Sequence, residues 1–114
     1  MAESRRTGGA RDGEPAAFVP VADVYVFEEY IVVRLAVPGV LAEDIDVSFG
    51  PEGLVVRGEL ERPVAADEGR VVVSEWRYGY FERVITLPQE IDSSGLRIEF
   101  EDGVLELRLP LLGR

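Results

Sequence analysis

From Val21 to Pro110 the chain is a succession of short apolar runs in which hydrophobic and polar residues alternate, and Gly or Pro breaks the pattern every several residues. Side chains along a strand point to opposite faces with a period of two, so such alternation builds half-buried strands. No long 3.6-residue period competes with it. The first run is Val21–Phe27, followed by Glu28-Glu29 as a turn. In Tyr30–Val37 the residues Ile31, Val33, Leu35 and Val37 share one face, and Pro38-Gly39 ends the run. Ile45-Asp46-Val47-Ser48-Phe49 alternates cleanly, Gly50-Pro51 closes it, and Leu54–Arg57 reads as its hairpin neighbour. Val71–Trp76 is a further strand candidate, then Phe81–Leu87 before Pro88, with Tyr78-Gly79-Tyr80 between them. Leu96–Phe100 and Val104–Leu109 are joined through Asp102-Gly103, a strong hairpin dipeptide. About eight short strands with turn signals between them predict an all-β fold, an antiparallel β-sandwich of immunoglobulin-like size.

At 114 residues and 46% hydrophobic content the chain is one domain rather than two. Residues 1–20 are rich in Gly, Pro and charge, with Phe18 and Val19 the only sizeable apolar groups, and read as a short disordered segment. Residues 59–69 form a polar stretch too long for a tight turn and too short for a linker between domains.

The charge balance and the missing residue types remove most functional classes. Twenty-two acidic against twelve basic residues give a net charge of −10, which opposes binding to nucleic acid. There is no Cys, His, Lys or Asn. That leaves no thiol nucleophile, no imidazole base, no ordinary zinc site and no Schiff-base or P-loop lysine. Carboxylate chemistry is the remaining option. Glu43-Asp44-Asp46 and Glu99-x-Glu101-Asp102 do not follow the EF-hand ligand ladder, and Glu99 and Glu101 lie on the face opposite Ile98 and Phe100, as a solvated face requires. Neither a metal site nor an enzyme is expected, and no signal peptide or membrane span is evident, which points to the cytoplasm.

Three spaced motifs carry a family resemblance. Val37-Pro38-Gly39-Val40, then Glu75–Tyr78 with Gly79, Phe81, Arg83 and Leu87-Pro88, then Gly103-Val104-Leu105 running to Leu109-Pro110, together resemble the α-crystallin domain of small heat shock proteins. The resemblance spans the foldable chain, taken as a domain at 21–110 with a very short tail at 111–114. It implies an ATP-independent holdase chaperone without cofactor, built as a homodimer or small oligomer, whose partners are unfolded clients and the C-terminal tails of other small heat shock proteins. The alternative is a non-chaperone module that pairs with or regulates other family members. Trp76 and Ile98 depart from the residues usual in the family, and Leu109-x-Leu111 continues the last strand where the family carries a linked Ile-x-Ile tail.

The resemblance also implies sites. The family's tail-binding groove falls between the segments Ile45–Phe49 and Leu96–Phe100, so Val47, Phe49, Leu96, Ile98 and Phe100 are its candidate lining. Read from alternation alone, the same residues are ordinary core. Arg70–Trp76 matches a strand exchanged onto a partner's edge, which places Val71, Val72, Val73 and Trp76 at a dimer interface, together with Arg83. Without exchange, Val71–Trp76 is an ordinary strand within one sheet. Arg83 lies between Phe81 and Ile85, and on an inward face its guanidinium calls for a carboxylate partner.

Overall fold

Alternating side chains must share a face, and sheets built from them must bury that face against each other. In the computed structural model, which describes residues 15–63 and 68–113, they do so in two antiparallel sheets. The strands are β1 (Ala22–Val26), β2 (Tyr30–Ala36), β3 (Ile45–Gly50), β4 (Gly53–Leu60), β5 (Gly79–Ile85), β6 (Arg97–Glu101) and β7 (Val104–Pro110). A four-stranded sheet has the order β1-β2-β7-β6, and a three-stranded sheet the order β3-β4-β5. The two inner faces meet in a core whose fully buried members include Ile31, Leu35, Leu54, Phe81, Leu105 and Leu107. The all-β sandwich expected from the alternation is the fold observed.

Local chemistry fixes the register. Asp102 and Gly103 both take positive φ, 55° and 78°, as a two-residue type I′ turn between β6 and β7 requires. In β4, a Cβ on Gly58 would stand 2.5 Å from the Phe81 ring and 2.5 Å from the carbonyl oxygen of Asp44, so glycine leaves the notch that the largest core side chain fills. On the outer faces, opposite charges occupy directly paired positions. Arg34 Nε lies 3.2 Å from Glu106, and Arg57 Nε 3.0 Å from Glu82.

Two expectations about elements change. Val71–Trp76 forms no strand within the chain: among the described residues its backbone joins no ladder, and the side chains of Val71, Val72, Val73 and Trp76 are exposed. A strand exists only where a neighbour supplies its hydrogen bonds, and none of the described residues pairs with this segment. Gly79 and Tyr80, read as part of a connector, instead begin β5, and Glu59 and Leu60, read as the start of the polar stretch, end β4, because the β4-β5 ladder extends to the Leu60–Gly79 pair.

The ends of the described chain are tied to the sandwich. Of the segment expected to be disordered, residues 1–14 lie outside the described residues, whereas Ala17–Pro20 runs along β5. The Ala17 N–H donates to the Tyr80 carbonyl at 2.6 Å, Phe18 pairs in parallel with Phe81, and their rings stand 5.2 Å apart. At the other end, the Leu111 N–H donates to the Glu29 carbonyl and the Leu112 N–H to the Glu90 carbonyl, both at 3.0 Å. Leu111, buried in the core, also bridges to Ile91.

Candidate peptide-binding site

A four-stranded sheet over a three-stranded one leaves a mismatch of one strand, about 4.8 Å of width. The strap Ala17–Pro20 lies on β5 and leads directly into β1, so β1 and β5 share one side of the sandwich and β3 and β6 the other. Cross-strand partners occupy the same face, which identifies the inward side chains of each outer strand. On β6, Ile98 is opposite the fully buried Leu107, yet it is 50% exposed. On β1, Val24 and Val26 are opposite the fully buried Val33 and Ile31, yet they are 40% and 51% exposed. The wider sheet overhangs the narrower one on both sides.

The β3/β6 side gathers the groove residues expected from the sequence. Val47 is opposite Val56 and Phe49 opposite Leu54, both partners fully buried, so the two point inward from the edge of the small sheet. Ile98 and Phe100 point inward from the edge of the large one, and Leu96, just before β6 in the sequence, packs against the core. Val47, Phe49, Leu96 and Phe100 are half-buried against the core, and Ile98 stands at the rim. These residues are thus packed against the core on one side and open on the other. Ile45, which alternation alone marks as core, joins the same row at the start of β3 and is likewise half-buried. Its signal in the sequence was the shared parity with Val47 and Phe49.

The residues expected at a dimer interface are not gathered in one place. Val71, Val72 and Val73 project from an exposed segment outside both sheets, while Trp76 returns to its own domain. Its indole packs against Gly39, where a Cβ would come within 3.3 Å of the ring, and stacks on Tyr78 with centroids 6.2 Å apart. Arg83 points inward opposite Val56, as its parity with Phe81 and Ile85 requires, but the expected carboxylate partner is replaced by a backbone group. Its Nη1 donates to the Pro20 carbonyl at 3.0 Å. A carbonyl oxygen satisfies a half-buried guanidinium without burying a second charge, and here it fastens the strap to β5.

Burial, followed by the nearby Glu82 carboxylate, pushes the Tyr80 hydroxyl above its ordinary value. Among the described residues no group of three or more His, Cys, Asp or Glu side chains is arranged to hold a metal ion. Among them, too, no helix is long and apolar enough to cross a membrane.

Comparison with known proteins gives the same architecture a family. The sequence pattern of the Hsp20/alpha crystallin family matches residues 23–113. Heat shock protein 16 of Schizosaccharomyces pombe is 35% identical over 98 residues, covering 84% of this chain and 68% of that protein. Spore protein SP21 of Stigmatella aurantiaca is 34% identical over 96 residues, covering 84% of this chain but 57% of its own length. Among solved structures, heat shock protein 16.0 from S. pombe superposes with a TM-score of 0.79 at 30% identity, covering 90% of this chain and 73% of that one. A small heat-shock protein from Xylella fastidiosa, described as having a distinct high order structure, gives 0.74 at 27% identity, covering 87% of this chain and 91% of that one. With its motifs, its two-sheet order and nearly its whole described length accounted for in this way, the chain belongs to the Hsp20/alpha crystallin family.

Proposed function

We propose that the protein is an ATP-independent holdase that binds partly unfolded chains and prevents their aggregation. The observation that carries this reading is the overhang: inward-facing Val47, Phe49, Leu96, Ile98 and Phe100 present apolar surface along two strand edges that no other strand of the described residues covers. An extended segment of a client offers side chains at the same two-residue spacing and free backbone groups to match. The net charge of −10 keeps a client-loaded complex soluble. No catalytic residue and no cofactor enter this function.

The same reading includes a homodimer made by strand exchange. Val71–Val73 is an exposed β-branched run without a ladder, and β1 is the outer strand of its sheet with Val24, Tyr25 and Val26 exposed. Pairing the run of one subunit with β1 of another would cover both unpaired elements in a single step. Trp76, held on its own domain, then marks where the exchanged segment departs, and Arg83 supports the strand beside it. The exchanging domain includes the strap Ala17–Pro20 and the buried Leu111, both tied to the sandwich.

The test is light scattering of a heat-unfolding client at near-stoichiometric ratio in buffer without ATP. Suppression by the wild type, and its loss in Ile98→Ser while the circular dichroism is unchanged, is the expected result. No suppression by folded protein overturns the holdase reading. A second reading, a module that pairs with other small heat shock proteins, is favoured by one observation: Leu109 and Leu111 are buried in the chain's own core, so they do not fill the groove. It predicts saturable binding of a fluorescent Ile-x-Ile peptide even where scattering is unchanged.

A further inference from the structure

The outer face of the β6-β7 hairpin places like charges opposite each other. Arg97 is paired with Arg108, and Glu99 with Glu106. Like charges directly opposite on adjacent strands are destabilising, so the arrangement costs the isolated subunit stability. Two of the four find relief toward the middle of the sheet: Glu106 meets Arg34 at 3.2 Å, and the Arg108 guanidinium lies 4.3 Å from the centre of the Tyr30 ring. Arg97 and Glu99, on the outer strand β6, are exposed and make no ion pair among the described residues. The result is a positive row, Arg97 and Arg108, beside a negative row, Glu99 and Glu106, two residues or about 6.6 Å further along the strands.

Such a face is complementary to itself under one symmetry operation. Consider a two-fold axis in the plane between two stacked sheets, perpendicular to the strands and midway between the rows. It exchanges the rows while keeping β6 over β6 and β7 over β7, so Arg97 faces Glu99 of the partner subunit and Arg108 faces Glu106 of the partner subunit. A two-fold axis parallel to the strands would instead place each row over its own copy, and like over like. The charge pattern thus selects a single isologous geometry.

We propose that the outer face of β6-β7 is a self-association surface on which a second copy of this chain stacks with its strands reversed. The partner is argued from charge: each chain carries −10, so two copies repel unless opposite charges are brought into register, and this face brings two such pairs from each subunit. Stacking here leaves free the inward side chains Leu96, Ile98 and Phe100 on the other side of β6, and also β1 at the opposite end of the sheet. It is therefore independent of both client capture and strand exchange, and it would join exchanged dimers to one another.

Sedimentation velocity on the full chain and four preparations separates this contact from any other. In Arg97→Glu, residue 97 faces another carboxylate across the axis; in Glu99→Arg, residue 99 faces another guanidinium. Each single variant is expected to lose the highest association step by at least about tenfold in dissociation constant, while any smaller species persists. The double variant R97E/E99R restores opposite charges across the axis, and an equimolar mixture of the two single variants restores them between unlike chains. Recovery of the wild-type step in both preparations is the expected result. The proposal is overturned if the wild type and the single variants sediment alike, or if the double variant remains as dissociated as the singles. All three substituted proteins keep exposed side chains at exposed positions, and circular dichroism verifies that the sandwich is intact.

Discussion

At the scale of the residue, Tyr80 shows how burial becomes a dependence on pH. Its hydroxyl is held above its ordinary value, first by burial and then by Glu82. An unfolded tyrosine ionises near pH 10, so above about that pH the unfolded chain releases a proton that the folded chain still holds. Stability is unaffected by this group at neutral pH and falls as the pH rises past about 10. Urea midpoints measured across about pH 9 to 11 should therefore fall less steeply in Tyr80→Phe than in the wild type. None of this was legible in the sequence, where Tyr80 sat in a supposed connector. Gly58 is a similar case: it interrupts no pattern, and only the Phe81 ring packed above it explains why a side chain is excluded. Arg83 was half legible, since its parity gave the inward face, but the Pro20 carbonyl that receives it is 63 residues away along the chain.

Elements were read most reliably where alternation and turn chemistry agreed. The β3-β4 and β6-β7 hairpins follow directly from apolar parity around Gly50-Pro51 and Asp102-Gly103. Val71–Trp76 has equal β propensity and no strand, because propensity describes the residue while a ladder also needs a neighbour. The candidate groove residues share parity on two segments, but parity alone marks them as core and only the family resemblance singles them out; the exposure of Ile98 depends on how many strands the opposite sheet has, which no single segment records. Leu109-x-Leu111 resolves at this scale too. Both leucines are buried, and Leu111 is clamped between the Glu29 and Ile91 loops. Leu111→Ala should destabilise the domain by about 2–5 kcal/mol in urea unfolding, as large core truncations do. The exposed neighbour provides the control: Leu112→Ala should stay within about 0.5 kcal/mol.

For the whole molecule, the exposed valine run and the exposed outer strand make a prediction about assembly. Val72 is 75% exposed and outside both sheets, so Val72→Asp should leave the circular dichroism of the sandwich unchanged. If strands are exchanged, the same substitution places a charge in a partner's ladder, and sedimentation should show the smallest assembled species replaced by monomer. An unchanged sedimentation profile would remove Val71–Val73 from the interface. The proposed exchange and the proposed stacked face are thus separable by substitution, one in the Val71–Val73 run and one in β6.

The unequal strand count of the two sheets has one more consequence. The seven strands of the described residues cannot be divided evenly between two layers, so one layer has a remainder. That remainder is set by integer arithmetic and leaves adhesive surface at the margins even when every central position is optimally packed. Improving the core cannot remove it; only further strand pairing on the narrow layer could. Stickiness and a well-formed interior, which compete in most small domains, are carried here by different strands and can be altered one at a time.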